Sequence, residues 1–104
     1  MAKLPSSFRS RNRTTRDFRL LFDKLPTSIQ LLTREACKLF DENPAHPSLR
    51  IHELVDTKKG HHYSGSVSVS ITMQYRAIYI PVDGINVWYW IGSHAAYETF
   101  TGRK

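Results

Sequence analysis

Residues 66–93 leave this chain the fewest choices. They read S-V-S-V-S-I-T-M-Q-Y-R-A-I-Y-I-P-V, then Asp83-Gly84, then I-N-V-W-Y-W-I-G-S. Val67, Val69 and Ile71 alternate with Ser66, Ser68 and Ser70, the period of a strand with one buried face. The segment 66–82 is too long for one typical strand, so a turn is expected near Thr72–Gln74. Asp83-Gly84 between apolar runs is a two-residue hairpin signal. The last strand is expected over 85–92 and a short helix over 94–100. The hairpin implies a register: Val82 opposite Ile85, Ile80 opposite Val87, Ile78 opposite Tyr89, Arg76 opposite Ile91. His94 lies three residues beyond Ile91, roughly 10 Å of extended chain. Arg76 and His94 are therefore expected as neighbours at one end of the sheet. Which face Arg76 takes stays open, because both faces of the hairpin carry apolar residues. Trp88 and Trp90 alternate with Tyr89 and are expected to share the face opposite to it, in core packing or against a protein partner.

The first half has a different period. Residues 14–25 predict a helix, capped by Thr14 or Thr15, with Phe18, Leu21, Phe22 and Leu25 on one apolar stripe. Pro26 ends it and can open the next. A second helix is expected to about residue 43, burying Ile29, Leu32, Ala36, Leu39 and Phe40, and ending at Asn43-Pro44. The pair forms an antiparallel hairpin. After His46-Pro47 the period becomes two, which predicts a strand over 48–55. Residues 56–65 form a polar loop.

A chain of 104 residues, 40% of them hydrophobic, suits one domain with a small core. It has no apolar run long enough to span a membrane and no signal-peptide core near residue 1, so a cytoplasmic protein is expected. The single Cys37 agrees with a reducing compartment and reads as a packing thiol. The net charge is +6, and the first twenty residues alone carry +5 of it. Such a block suits a polyanion, an acidic protein partner or a solvated arm. Residues 1–13 are either mobile or an edge strand anchored by Phe8. The five histidines lack zinc-type ligand spacing, and no metal or cofactor is expected.

Four segments, in this order and spacing, resemble the RelE/ParE superfamily of bacterial toxins: L-P-T-S-I-Q (25–30), N-P-A-H-P-S-L-R-I-H-E-L (43–54), Q-Y-R-A-I-Y (74–79) and W-I-G-S-H-A-A-Y (90–97). The resemblance spans about residues 5–100. It implies an α+β fold in which two N-terminal helices pack on a twisted antiparallel sheet of about four strands. It also implies the toxin of a type II toxin–antitoxin pair, bound by a cognate antitoxin. RelE-like members cut messenger RNA on the ribosome; ParE-like members poison DNA gyrase. A non-catalytic binding module on the same fold is the third reading.

The resemblance implies Arg76, His94 and His52 as catalytic residues. His52 and His94 match histidines of the YafQ-like branch, whereas Ser70 and Gln74 stand where that branch places a further histidine and an aspartate. Cleavage of this kind uses the 2′-hydroxyl of the RNA as nucleophile. It needs a base, an acid and a cation on the phosphoryl oxygens, but no metal. The histidines titrate in the right range, and a guanidinium fork matches phosphate. Each residue also has a structural alternative: Arg76 paired with a carboxylate, His94 capping the last helix, His52 facing solvent. Tyr97 can stack on a base, donate its hydroxyl or simply pack. Arg50, Lys58, Lys59, His61 and His62 cluster at one loop, and with Arg9, Arg11 and Arg13 they are candidate grips on the RNA backbone or solvated charges.

Overall fold

The computed structural model describes residues 11–103. Nine elements follow one another: β1 (Asn12–Thr14), α1 (Arg16–Asp23), α2 (Thr27–Glu42), a 3-10 turn (Pro47–Leu49), β2 (His52–Glu53), β3 (Val67–Ser70), β4 (Tyr75–Val82), β5 (Ile85–Ser93) and α3 (His94–Thr101). The strands form one sheet in the order β1-β5-β4-β3-β2. None of the described helices is long and apolar enough to cross a membrane.

The architecture is the expected α+β one, with a correction to the sheet. It has five strands, and β1 runs parallel to β5 while the other pairs are antiparallel. Nothing apolar marks β1. A buried asparagine holds it: Asn12 Oδ1 accepts from the Trp88 indole at 2.9 Å and from Asn86 Nδ2 at 3.2 Å. Phe8, the expected anchor of an edge strand, lies outside the described residues, as does Arg9.

Helix α1 starts where Thr15 Oγ1 accepts the Phe18 amide at 3.1 Å. This satisfies one of the orphan donors at the helix start. Thr15→Ala should therefore cost about 1 kcal/mol, read as a lower urea midpoint with unchanged slope. Phe18 and Phe22 enter the core as expected. In α2 the buried face is rotated from the expected one. Gln30, Thr33, Ala36, Cys37 and Phe40 are buried, while Leu32 is exposed. The reason lies at the Leu25-Pro26 break. Gln30 Nε2 donates to the carbonyls of Phe22, Asp23 and Leu25, satisfying the end of α1. Thr33 donates to Ile29 O. Burial pushes the Cys37 thiol up to about 12, with the Asp41 charge adding to it; a thiol held protonated packs and does not attack.

The strand expected over 48–55 shrinks to His52–Glu53. His46 Nδ1 accepts the Ser48 amide and Pro47 starts a 3-10 turn, which drops Leu49 into the core. Arg50 follows in the left-handed region at φ 44°, which breaks extended pairing. At the far hairpin, Asp83 and Gly84 both take positive φ, 51° and 81°, as a type I′ turn requires. Val82 faces Ile85 and Ile80 faces Val87, as expected.

Beyond that point the register is corrected by one residue. Tyr79 pairs with Trp88 and Ile78 with Trp90, so Tyr89 bulges out without a partner of its own. A bulge resets the alternation of faces. Trp88 joins Phe18, Phe40, Ala77 and Ile91 on the α1/α2 side, whereas Trp90 joins Leu54, Ile78 and Tyr97 on the α3 side. The two tryptophans therefore lie on opposite faces. The bulge also puts Gly92, not Ile91, across from Arg76.

Candidate active site

Ala77 and Val69 feed the α1/α2 core, so their strand neighbours Arg76, Ile78, Ser68 and Ser70 project from the other face. Helix α3 lies on that face. Ser93 caps it by accepting the Ala96 amide, and the His94 amide donates to Gln74 O at 2.6 Å. The first turn of α3 is thus tied to the β3–β4 turn, whose Thr72 hydroxyl accepts from Gln74. A Cβ at Gly92 would lie 2.8 Å from the Trp90 ring, so only glycine lets the indole lie against the backbone at this point of β5.

Arg76 and His94 meet at one ring. The Arg76 guanidinium sits over Tyr97, 5.2 Å from its centroid, a cation–π distance. It also donates to Ser68 Oγ at 3.4 Å. The His94 imidazole stacks on the same Tyr97, with centroids 6.1 Å apart and planes 23° apart. Tyr97 is buried, and its hydroxyl has no partner. The His94 side chain is 44% exposed, with Nε2 at 2.8 Å from Glu98 Oε1; its Nδ1 is buried without a partner. Sequence reasoning passed over Glu98. The i, i+4 spacing from His94 along a helix was the available signal.

His52 stands on the edge strand β2, exposed, paired with Ser68 and so on the same face as Arg76. Two strand spacings separate it from β4, roughly 10 Å. Its Nδ1 is 3.0 Å from Arg50 O.

The other candidate residues divide. Arg50, Lys58, Lys59 and His61 are exposed. The loop that carries the last three is clipped to the end of α3: Thr57 Oγ1 donates to Thr101 O and the His61 amide to Phe100 O, both at 2.7 Å. His62 is held inside this clip. Its side chain is only 2% exposed, and its Nε2 donates to Val55 O at 3.1 Å. That makes it an anchor of the loop and not a surface grip. Arg11, just before β1, and Arg13, on it, are exposed at the sheet edge opposite to His52. Arg13 also donates to Asn12 O. Among the described residues no cluster of His, Cys, Asp and Glu could hold a metal ion. A cavity of about 390 Å³ opens between α1, the loop and β5, lined in part by Leu20, Tyr63, Trp90 and Phe100. It contains neither Arg76 nor His94.

This arrangement, two helices under one face of a β1-β5-β4-β3-β2 sheet and a short third helix over the other, has solved counterparts. YafQ from E. coli strain BL21(DE3) superimposes with a TM-score of 0.65 at 14% identity, over 83% of this chain and 94% of that one. The chain has a RelE-like fold. RelE in the archaeal RelE–RelB complex from Pyrococcus horikoshii OT3 gives 0.57 at 14% identity, over 80% and 92% of the two chains. The RelBE2 toxin–antitoxin complex of Mycobacterium tuberculosis gives 0.53 at 21% identity, over 80% and 95%. No family model matches the sequence, and no curated protein does. At these identities the likeness is one of fold.

Proposed function

We propose that this RelE-like chain is the toxin of a type II toxin–antitoxin pair and cuts messenger RNA on the ribosome. The observation that carries this reading is the convergence of Arg76 and His94 on the Tyr97 ring, on a face with exposed groups. An arginine and a histidine held against one aromatic ring make a site for a ribose–phosphate link. A base takes the 2′-hydroxyl proton, and O2′ attacks the neighbouring phosphorus. The bond to O5′ breaks, and an acid protonates the leaving oxygen. Arg76 neutralises the charge that builds on the phosphoryl oxygens. His94 and His52 supply the acid–base pair, and Tyr97 is the platform that holds the other two. Arg50, Lys58, Lys59 and His61 at one end of the sheet, with Arg11 and Arg13 at the other, would position the message or ribosomal RNA through phosphates. An antitoxin partner is supported by the complexes in which the structural neighbours occur.

Primer extension on messages after brief induction in cells tests the reading. Cuts at fixed codon positions are expected. Induction that halts growth with intact messages and a DNA-damage response would replace it with gyrase poisoning. Tight partner binding with neither effect would replace it with a non-catalytic module.

A further inference from the structure

Glu98 has no role in the scheme above, yet it makes the shortest polar contact to the His94 ring. Its Oε1 lies 2.8 Å from Nε2. An ionised carboxylate can only accept a hydrogen bond, so Nε2 must carry the hydrogen. The other nitrogen, Nδ1, is buried with no partner, and so is the hydroxyl of Tyr97, on whose ring the imidazole stacks. Buried polar atoms without partners are rare in folded proteins. Among the described residues three such side-chain atoms occur, and two of them fall in this cluster. The backbone at His94 is pinned by Gln74 O, and the ring is stacked on Tyr97. The imidazole is therefore held on three sides, with one lone pair left over.

We propose that Glu98 is the positioning residue of the site: its carboxylate keeps the His94 proton on Nε2 and leaves Nδ1 as the base that takes the 2′-hydroxyl proton. This rests on the nuclease reading. The balance is complete within the RNA and two histidines. The 2′-hydroxyl proton passes to Nδ1, O2′ bonds to phosphorus, and the bond to O5′ breaks. O5′ takes its proton from the protonated His52 ring. The products are a cyclic phosphate and a free 5′-hydroxyl. His94 becomes an imidazolium whose Nε2–H stays on Glu98, an ion pair that forms only as the reaction proceeds. Binding of the message must uncover Nδ1, which is buried in the free protein.

Long-range proton–nitrogen spectra of the free protein, with the ring neutral, give the first readout. The wild type should show His94 protonated on Nε2 alone, with that proton slow to exchange. Glu98→Ala should speed its exchange and populate both tautomers. Glu98→Gln keeps an acceptor and should retain the wild-type tautomer. The second readout is message cleavage in a translating extract. E98A should lose about 10²-fold, the lower end of general acid–base effects, with E98Q between E98A and the parent. A wild-type Nδ1–H tautomer overturns the proposal. So does an E98A variant that cleaves like the parent while His94→Ala is inactive, which would leave the nuclease reading standing and reduce Glu98 to a helix-surface pair. Parent protein that cleaves no message overturns both.

Discussion

Arg76→Ala should lower the rate of message cleavage by about 10²–10³-fold, the usual loss when a preorganised donor to a developing oxyanion is removed. Growth arrest on induction should be relieved accordingly. The expectation rests on what Arg76 does not do in the fold. Its contacts are a ring face at 5.2 Å and one long hydrogen bond to Ser68 at 3.4 Å. Neither is what holds β4 in place, because the next two residues, Ala77 and Ile78, anchor the strand in the core at 1% and 0% exposure. The variant should therefore melt close to the parent temperature. Arg76→Lys is the sharper comparison. It keeps the charge but loses the planar fork, so it should recover only part of the rate. His94→Ala should also relieve the arrest, with message binding retained. A pair of Ala variants as toxic as the parent would remove the site assignment. A large loss of melting temperature in R76A would turn Arg76 into a structural residue.

Trp88→Ala should unfold the domain or come close to it. Removing a buried tryptophan typically costs about 3–5 kcal/mol, a large share of the ~5–15 kcal/mol that holds a small domain together. Here Trp88 connects several elements. It is 2% exposed and packs against Phe18 of α1, Phe40 of α2 and Tyr79 of β4, with centroids 6.5, 5.3 and 4.7 Å away. Its indole N–H is the hydrogen bond that fastens β1, through Asn12. Its carbonyl accepts the Thr15 amide at the start of α1. Truncation leaves a cavity and a buried Asn12 oxygen without its indole donor. Trp88→Phe separates the two effects. It keeps most of the ring packing, leaves a smaller void and loses the indole hydrogen bond, so about 1–3 kcal/mol is expected. Urea unfolding followed by circular dichroism measures both. A W88A midpoint within error of the parent would mean that the core is not organised around this ring.

Elements whose signal is local were legible before any coordinates. Asp83-Gly84 announces its hairpin because few residue pairs accept positive φ twice in succession. A cap at Thr14 or Thr15, the Pro26 break and the α1 stripe follow from chemistry a few residues apart in the same way, and the turn at Thr72–Gln74 follows from a segment too long for one strand. The proximity of Arg76 and His94 also followed from counting outward from the turn. The count was off by one residue, and the bulge at Tyr89 brought the pair one residue closer. That bulge exists because Trp88 is wanted by the α1/α2 core and Trp90 by α3, a conflict that strict alternation cannot satisfy. No local pattern reports it.

The buried face of α2 was misread for a related reason. Periodicity favours the leucines, whereas the fold needs Gln30 inside to satisfy carbonyls left by a helix that ended seven residues earlier. Strand β1 was illegible because its anchor, Asn12, bonds a residue more than seventy positions away. His62 looked like a surface cation until the loop was seen clipped onto α3.

By itself the amino-acid order determined the helix pair, the hairpin and the end of the sheet where an arginine and a histidine would meet. Tertiary structure decided the face Arg76 takes, the ring on which it meets His94, and the carboxylate that holds the histidine. The division is physical. Turns, caps and periods depend on residues a few positions apart. Which side of a sheet is covered depends on how distant helices share the burial of two tryptophans.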